Sequence, residues 1–173
     1  MMNRIFYGQI ITMLVFLTNL VTAQNSYDNI KTEISGELKK WHKITLTFDL
    51  DYNKPIMVNG DKQRLQQVLS NLIVNSIKYG QQNGTTEVSV ENLIKNKVIV
   101  RITDNGEGIE PEHIPRLFER FYRVDKSGSR KEGGSGLGLA IVKHIIEAHD
   151  EKLYIESEFG IGSEFSFTLE KAK

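Results

Sequence analysis

The amino-acid sequence predicts an α+β sandwich in which helices pack on one face of a mixed sheet. Segments with apolar residues at helical spacing are separated by segments in which apolar and polar residues alternate. Their order (helix, strands, helix, strands, helix, strands) differs from the strict alternation of a doubly wound parallel sheet. The composition supports a packed core, since 39% of the 173 residues are hydrophobic and 25% are charged.

The first 25 residues form an apolar segment that precedes the domain predicted at 26–173. No charged side chain occurs from Ile5 to Ala23. A membrane-spanning helix needs about 20 mostly apolar residues, so this segment is long enough to span. Its basic start and the small-residue sequence Val21-Thr22-Ala23 are equally typical of a secretory signal peptide, and both interpretations stay open.

The first half of the domain predicts two helices separated by short strands. Apolar residues at helical spacing predict a helix over Tyr27–His42, and alternation predicts a strand over Ile44–Phe48. A second, short strand is predicted at Pro55–Val58. Asp61 is suited to cap the N-terminus of a long helix. The apolar side of this helix consists of Leu65, Val68, Leu69, Leu72, Ile73 and Ile77.

The middle of the domain predicts a strand pair and a short helix. The alternating runs Thr86–Leu93 and Lys97–Thr103 predict an antiparallel pair with one solvated face. The segment Pro111–Phe121 predicts a short helix with proline in its first turn.

The C-terminal part predicts a loop, a helix and two strands. Ser127–Ser135 is polar and rich in glycine, which predicts a mobile loop. Leu137–His149 has helical spacing, and Leu153–Glu156 and Glu164–Leu169 are predicted as closing strands.

The composition excludes several classes of site. The chain has no Cys, which removes disulfides, zinc–cysteine sites, iron–sulfur clusters and thiol nucleophiles. Its 22 basic and 22 acidic residues balance, so no nucleic-acid partner is expected from the overall charge. Seven of the 14 Gly lie between Gly106 and Gly138, and this clustering is the first indication of a functional site.

The predicted long helix carries a polar edge beside its apolar side. Asn71, Asn75, Lys78 and Tyr79 recur at helical spacing, so their side chains can share a face. An amide oxygen is a suitable ligand for Mg²⁺, and a lysine one turn away suits a phosphate. Taken alone, the same pattern also fits an ordinary solvated helix face.

A carboxylate and a Gly-x-Gly turn follow the strand predicted at Lys97–Thr103. Gly106 and Gly108 permit close backbone approach to a flat ligand. Asp104 can accept a hydrogen bond from an exocyclic amine such as that of adenine. Taken alone, Asp-Asn-Gly is also a common hairpin turn.

Two further patches suit phosphate. Leu117–Asp125 interleaves aromatic residues with Arg120 and Arg123, whose guanidinium groups can bind an anion. Gly133–Lys143 leads glycines into a helix, the arrangement in which free N–H groups and the helix dipole hold an anion. Its glycine spacing fits neither the P-loop nor the dinucleotide-binding fingerprint.

In this order, the four patches resemble the asparagine, first glycine, phenylalanine and second glycine boxes of the ATP-binding catalytic domain of bacterial sensor histidine kinases. A fifth element, Gly160–Phe165, is similar to the closing Gly-x-Gly-Ser/Thr-x-Phe segment of that family. The resemblance covers Tyr27–Glu170 and extends to the superfamily that includes Hsp90, type II topoisomerases and MutL. It implies a two-layer sandwich of the Bergerat type, ATP and Mg²⁺ as cofactors, and transfer of the γ-phosphoryl group to a histidine.

The resemblance also implies roles for single residues. Asn75 is expected to bind Mg²⁺, Asn71 to support the metal and phosphates, and Lys78 to reach the phosphates. Asp104 is expected to bind the adenine amine. Either Arg123 or Arg120 is expected to neutralise the γ-phosphate. The other nucleotide-contacting positions are expected to be Tyr79, Gly106, Gly108, Ile109, Gly134, Ser135, Gly136, Leu137, Gly138 and Ser163, with the loop Lys126–Gly134 as the ATP lid.

Phosphoryl transfer to protein is favoured over hydrolysis. Members of the superfamily that hydrolyse ATP resemble one another in carrying a Glu one turn before the metal-binding Asn, and that position is Asn71 here. A site without this base favours a better-placed acceptor over water.

The acceptor histidine is expected on another chain. None of the four His lies in a His-Glu/Asp-x-Lys/Arg-Thr-Pro context, and about 26 residues before the domain are too few for a dimerisation hairpin. The expected partners are therefore a separate dimerisation and phosphoacceptor domain and, through it, a response regulator. Two other functions stay open. One is a nucleotide-binding remnant or regulatory module without turnover. The other is a protein-serine kinase of the anti-sigma type, which generally lacks a patch like Phe118–Arg123.

The cues for location conflict. Arg4 before the apolar segment favours a domain outside the cell, where ATP is absent. Four lysines that follow the segment favour the cytoplasm, so the expected location is the cytoplasmic face of the membrane, with the segment as a tether. The turn His149-Asp150-Glu151 stands where many relatives carry His-Gly-Gly, and little functional cost is expected there.

Overall fold

The computed structural model describes residues 44–49, 56–124 and 135–172. The apolar segment 1–25, the helix predicted at Tyr27–His42 and the predicted lid Lys126–Gly134 lie outside the described residues. Among the described residues, neither helix is both long and apolar enough to cross a bilayer.

Within the described ranges, five strands form one mixed sheet. They are β1 (Thr45–Asp49), β2 (Thr85–Leu93), β3 (Lys97–Asp104), β4 (Leu153–Glu158) and β5 (Gly162–Glu170), in the order β1-β2-β3-β5-β4. β1 runs parallel to β2, and the other three pairs are antiparallel. The predicted α+β class and the antiparallel pair β2–β3 are confirmed.

In the described part of the chain, two helices cover one face of this sheet. Helix α1 (Lys62–Tyr79) packs against β2 and β3, helix α2 (Gly138–Ala148) packs against β4, and the helices contact each other. Asp61 caps α1 as predicted, since its side chain accepts a hydrogen bond from the N–H of Arg64 at 3.1 Å. All six residues predicted on the apolar side of α1 are buried.

The core lies between these helices and the central strands. In β3, Val98, Val100 and Ile102 are almost completely buried, and the register places Val100 beside Phe167 and Ile102 beside Phe165. The strand pair was predicted to expose one face to solvent. The alternation of buried and exposed residues is clearer in β2 than in β3, where Ile99 is buried as well as its neighbours. The cause is the central position of β3, which has β2 on one side and β5 on the other.

The helix predicted at Pro111–Phe121 is wrong. The chain forms one 3₁₀ turn at Ile114–Arg116, with other turns around it. Pro115 has no N–H to donate to the carbonyl of Pro111, and its ring would clash with that carbonyl in an α-helix. The strand predicted at Pro55–Val58 is also wrong in its described part, because Val58 forms only an isolated bridge to Lys171.

The imidazole of His149 connects the ends of both helices. Its Nε2 accepts a hydrogen bond from the N–H of Asp61 at 3.0 Å, and its Nδ1 lies 2.7 Å from the carbonyl oxygen of Ile145. These contacts require a neutral ring with the proton on Nδ1. Nε2 accepts a hydrogen bond and so carries no proton, whereas the carbonyl oxygen can only accept a hydrogen bond, so Nδ1 must donate it. His149 therefore has a structural role.

Candidate functional site

One cavity of about 420 Å³ opens where α1, β3 and α2 come together. It is bounded by the C-terminal half of α1, the end of β3 and the N-terminus of α2, with walls from the segment before residue 125 and from β5. The four motif patches, which are far apart in sequence, meet there. The predicted site residues that line it are Asn71, Asn75, Lys78, Tyr79, Asp104, Gly108, Ile109, Arg123, Ser135, Gly136, Leu137, Gly138 and Ser163.

Two predicted site residues, Gly106 and Arg120, do not line the cavity. Gly106 is buried behind Asp104, and its N–H donates to Asp104 Oδ1 at 2.9 Å. Arg120 is exposed and lies outside the lining, so Arg123 is the arginine at the cavity. Gly134 lies outside the described residues.

Asp104 presents a partly buried carboxyl group at the cavity. Burial raises the pKa of this carboxyl above 3.8, and hydrogen bonds from the backbone of Gly106 and Ser163 and the side chain of Ser76 act in the opposite direction. Ser76 is itself buried, with its Oγ 2.7 Å from Thr86 Oγ1. These donors fix the orientation of the carboxyl group, which can accept a hydrogen bond from a ligand amine.

The polar edge of α1 carries an unsatisfied amide. Asn71 Nδ2 is buried and has no hydrogen-bond acceptor among the described residues. A buried polar atom without a partner costs free energy, so it points to a bound ligand. On the neighbouring helix, a Cβ built on Gly138 would lie 3.7 Å from Asn71 Oδ1, which places this amide against the start of α2.

The N-terminus of α2 faces the cavity without a capping side chain. Leu137, at the N-cap, makes no side-chain cap hydrogen bond, and the first turn of α2 contains no acidic residue. The first N–H groups of a helix have no partner within it, and the helix dipole is positive at this end. With Asn71 and Lys78 in the same lining, this part of the cavity suits a polyphosphate and a coordinated Mg²⁺.

Gly108 allows the chain to approach the β4–β5 turn. Its φ is +68°, and a Cβ at this position would lie 2.0 Å from the carbonyl oxygen of Glu158. The Gly160 N–H also donates to the carbonyl of Glu107 at 2.7 Å. Glycine is thus required at position 108 by the close approach of two backbone segments. This requirement is independent of any contact that Gly108 makes with a ligand.

Several lining residues were missed by the sequence analysis. Ser76 lies inside the asparagine motif, but only the structure shows that its side chain forms a hydrogen bond with Asp104. Tyr122 lay within the predicted aromatic patch, yet no role was assigned to it. The apolar part of the lining includes Leu117, Leu139, Ile141 and Phe165, which lie within the predicted patches but were assigned no contact with a ligand.

The sequence profile described as histidine kinase-, DNA gyrase B- and HSP90-like ATPase matches residues 60–173, and the chain belongs to this family. Its curated relatives include the sensor protein kinase WalK of Staphylococcus aureus, which is 42% identical over 117 residues. That match covers 67% of this chain and 28% of the relative's sequence. The match to WalK of strain Newman covers 19% of that relative's sequence. The chain therefore spans less than a third of the length of these relatives.

Solved structures show the same fold. The catalytic domain of histidine kinase ThkA, in a nucleotide-free form, is 29% identical with a TM-score of 0.67, and the match covers 83% of this chain and 89% of that chain. The mycobacterial sensor histidine kinase MprB has a TM-score of 0.70 at 23% identity, with 97% and 98% coverage. The described α+β sandwich is thus the fold of histidine kinase catalytic domains.

Proposed function

We propose that this chain is the Mg-ATP-binding catalytic domain of a sensor histidine kinase, which transfers the γ-phosphoryl group of ATP to a histidine on a separate dimerisation helix. The observation that carries the proposal is a cavity that joins a fixed carboxyl group, an amide-bearing helix edge and an uncapped helix N-terminus. The family match and the WalK relatives support it.

The adenine end of the site is formed by Asp104. Its carboxylate accepts a hydrogen bond from the exocyclic amine of adenine, which guanine lacks at the equivalent edge. Ser76 and Gly106 hold the carboxylate in place, and Tyr79, half-exposed at the end of α1, lies beside the base.

The phosphate end is formed by α1 and α2. Asn75 provides an amide oxygen for Mg²⁺, while Asn71 donates through its unsatisfied Nδ2 and Lys78 adds positive charge. Backbone N–H groups at Gly136, Leu137 and Gly138 bind the phosphate oxygens at the start of α2. When bound, Mg²⁺ screens and orients the phosphates.

Transfer proceeds by direct displacement at phosphorus. An imidazole nitrogen of the acceptor forms a bond to the γ-phosphorus as the bond to the β,γ-bridging oxygen breaks, and ADP leaves. Arg123 neutralises the charge on the transferring group. Asn71 occupies the place of a water-activating Glu, so the site favours a protein acceptor over water.

The acceptor histidine belongs to a partner chain, which passes the phosphoryl group to a response regulator. Within the described residues, His149 and His113 are each engaged in hydrogen bonds of the fold. The site of action is the cytoplasmic face of the membrane, where ATP is available.

A transfer assay tests this function. The full chain is incubated with γ-labelled ATP, Mg²⁺ and a separately purified dimerisation hairpin that carries the acceptor histidine of a sensor kinase. We expect acid-labile, base-stable label on the hairpin, loss of label with Asn75→Ala or Arg123→Ala, and retained label with the exposed matched control Arg120→Ala. Acid-stable label on serine would instead identify a protein-serine kinase, and nucleotide binding without transfer would identify a non-catalytic module.

A further inference from the structure

A hydrogen bond between two side chains holds the segment that precedes Arg123. His113 Nδ1 lies 2.7 Å from Tyr122 Oη, and the two rings have centroids 6.2 Å apart at an interplanar angle of 50°. Tyr122 lines the cavity next to Arg123, whereas His113 lies outside the lining. His113 can therefore influence the site through Tyr122.

The other edge of the imidazole determines the direction of this hydrogen bond. His113 Nε2 lies 3.7 Å from Glu110 Oε2 and 3.8 Å from Glu112 Oε1. A neutral imidazole carries one proton, and two nearby carboxylates favour it on Nε2. Nδ1 is then the acceptor, so the hydroxyl of Tyr122 donates to His113.

The ring of Tyr122 is fixed from other directions as well. The guanidinium of Arg116 lies 4.4 Å from the centroid of the ring, and Glu119 pairs with that guanidinium at 3.0 Å. The N–H of Tyr122 donates to the carbonyl of Glu119 at 3.3 Å. The hydroxyl, the face and the backbone of Tyr122 are thus each held by a contact, and the next residue along the chain is Arg123.

We propose that His113 is a positioning residue of the phosphate end of the site. By accepting the hydroxyl hydrogen bond of Tyr122, it holds Tyr122 and Arg123 against the cavity. The inference rests on the proposed function, in which Arg123 meets the γ-phosphate. Because ADP has no γ-phosphate, His113 favours the binding of ATP over that of ADP.

Equilibrium binding of Mg-ATP and Mg-ADP to the full chain tests the proposal. His113→Ala and Tyr122→Phe should each weaken ATP binding by about five-fold, the effect of one lost hydrogen bond, and change ADP binding by less than about two-fold. The double variant should match the single variants, because both remove the same interaction. His113→Asn, whose Oδ1 can replace Nδ1 as acceptor, should restore most of the preference for ATP.

A matched control is His144→Ala, on the exposed side of α2, which should leave both affinities unchanged. Equal weakening of ATP and ADP would overturn the proposal, because it would indicate a general structural role. Additive effects of His113→Ala and Tyr122→Phe would overturn it too. A wild-type chain that binds neither nucleotide would overturn the proposed function itself, whereas normal wild-type binding with unchanged variants would overturn only the role of His113.

Discussion

At the scale of single residues, the carboxyl group of Asp104 combines an unfavourable burial with the proposed role in binding adenine. Burial disfavours its charged form, so the pKa of the carboxyl is raised above 3.8 in the folded chain. The folded chain binds a proton at Asp104 more tightly than the unfolded chain does. The stability that this proton contributes is fully present below the pKa of the unfolded chain, and it is lost as pH rises through the pKa of the folded chain. Burial of the ionised carboxyl group is therefore unfavourable, and pairing with the proposed ligand amine would offset this cost.

Asp104→Asn should separate these two effects. The variant removes the buried charge, so the nucleotide-free chain should melt at a higher temperature than the wild type at pH 7, and this difference should shrink as the pH is lowered towards 4. Loss of a charged acceptor should weaken ATP binding by roughly 10- to 100-fold and reduce the preference over GTP. Melting curves at two pH values and titration calorimetry measure both.

The control for this variant is Glu156→Gln, which removes an exposed carboxylate from β4. It should change neither the affinity for ATP nor the pH dependence of melting. A lower melting temperature for Asp104→Asn at pH 7, together with unchanged ATP affinity, would contradict both the assigned burial cost and the assigned contact.

The choice between Arg120 and Arg123 shows what sequence patterns cannot resolve at this scale. They lie three residues apart in one patch, Arg120 within the helix predicted at Pro111–Phe121 and Arg123 just beyond it, so the spacing does not show which of them faces a ligand. The chain instead turns at Phe121, which has a φ of +65° and donates its N–H to the carbonyl of Gly136 at 2.9 Å. A positive φ at a bulky residue is not predictable from local preferences, because the contact with Gly136 imposes it.

At the scale of elements, the end of α2 is a Schellman motif built without glycine. The N–H of Glu151 donates to the carbonyl of Ile146 at 3.2 Å, and the N–H of Asp150 donates to that of Glu147 at 3.0 Å. Asp150 takes the left-handed conformation that this motif requires, with a φ of +57°. Glu151 compensates as a buried partner of Lys97 and Thr168, each at 2.6 Å.

Asp150→Gly should therefore increase the free energy of unfolding by about 0.5 kcal/mol, because glycine adopts the left-handed conformation without the steric cost of a Cβ. The greater conformational freedom of glycine in the unfolded chain offsets part of this gain. Denaturant unfolding measures the change, with Asp150→Val as the matched variant that should destabilise. ATP affinity should be unaffected in both, as the turn lies outside the cavity lining. If glycine lowered stability, the steric cost of the left-handed conformation at Asp150 would be smaller than the entropy that glycine loses on folding.

Helices were predicted correctly where capping residues and apolar periodicity indicated the same element. A prediction failed where a single residue inside the segment was incompatible with the predicted element. Asp61 and the six buried apolar residues identified α1, because capping and periodicity indicate the same helix. The helix predicted at Pro111–Phe121 failed because it was inferred from proline in the first turn, whereas Pro115, inside the segment, disrupts an α-helix. Most residues of the predicted motifs line one cavity, but His113 was assigned no role, since its partner Tyr122 lies nine positions away across turns.

At the scale of the whole molecule, pairings distant in sequence set the architecture. Val100 pairs with Phe167, and β1 lies parallel to β2 with α1 between them along the chain. Neither of these pairings can be predicted from local periodicity, whereas the fold class was predicted from it. The result places the cavity between both helices and the sheet, so a ligand bound there contacts both layers of the sandwich.

Ligand binding at such a position should stabilise the domain as a unit. At 100 times its dissociation constant, Mg-ATP should increase the free energy of unfolding by about 2.7 kcal/mol, which raises the melting temperature by roughly 5–10 °C for a chain of this size. Calorimetric melting measures the shift. The same ATP concentration with a chelator should give a smaller shift, because the metal proposed at Asn75 is then absent. GTP should also give a smaller shift, because it lacks the amine proposed to pair with Asp104. Equal shifts with all three would mean that the nucleotide binds without using either residue.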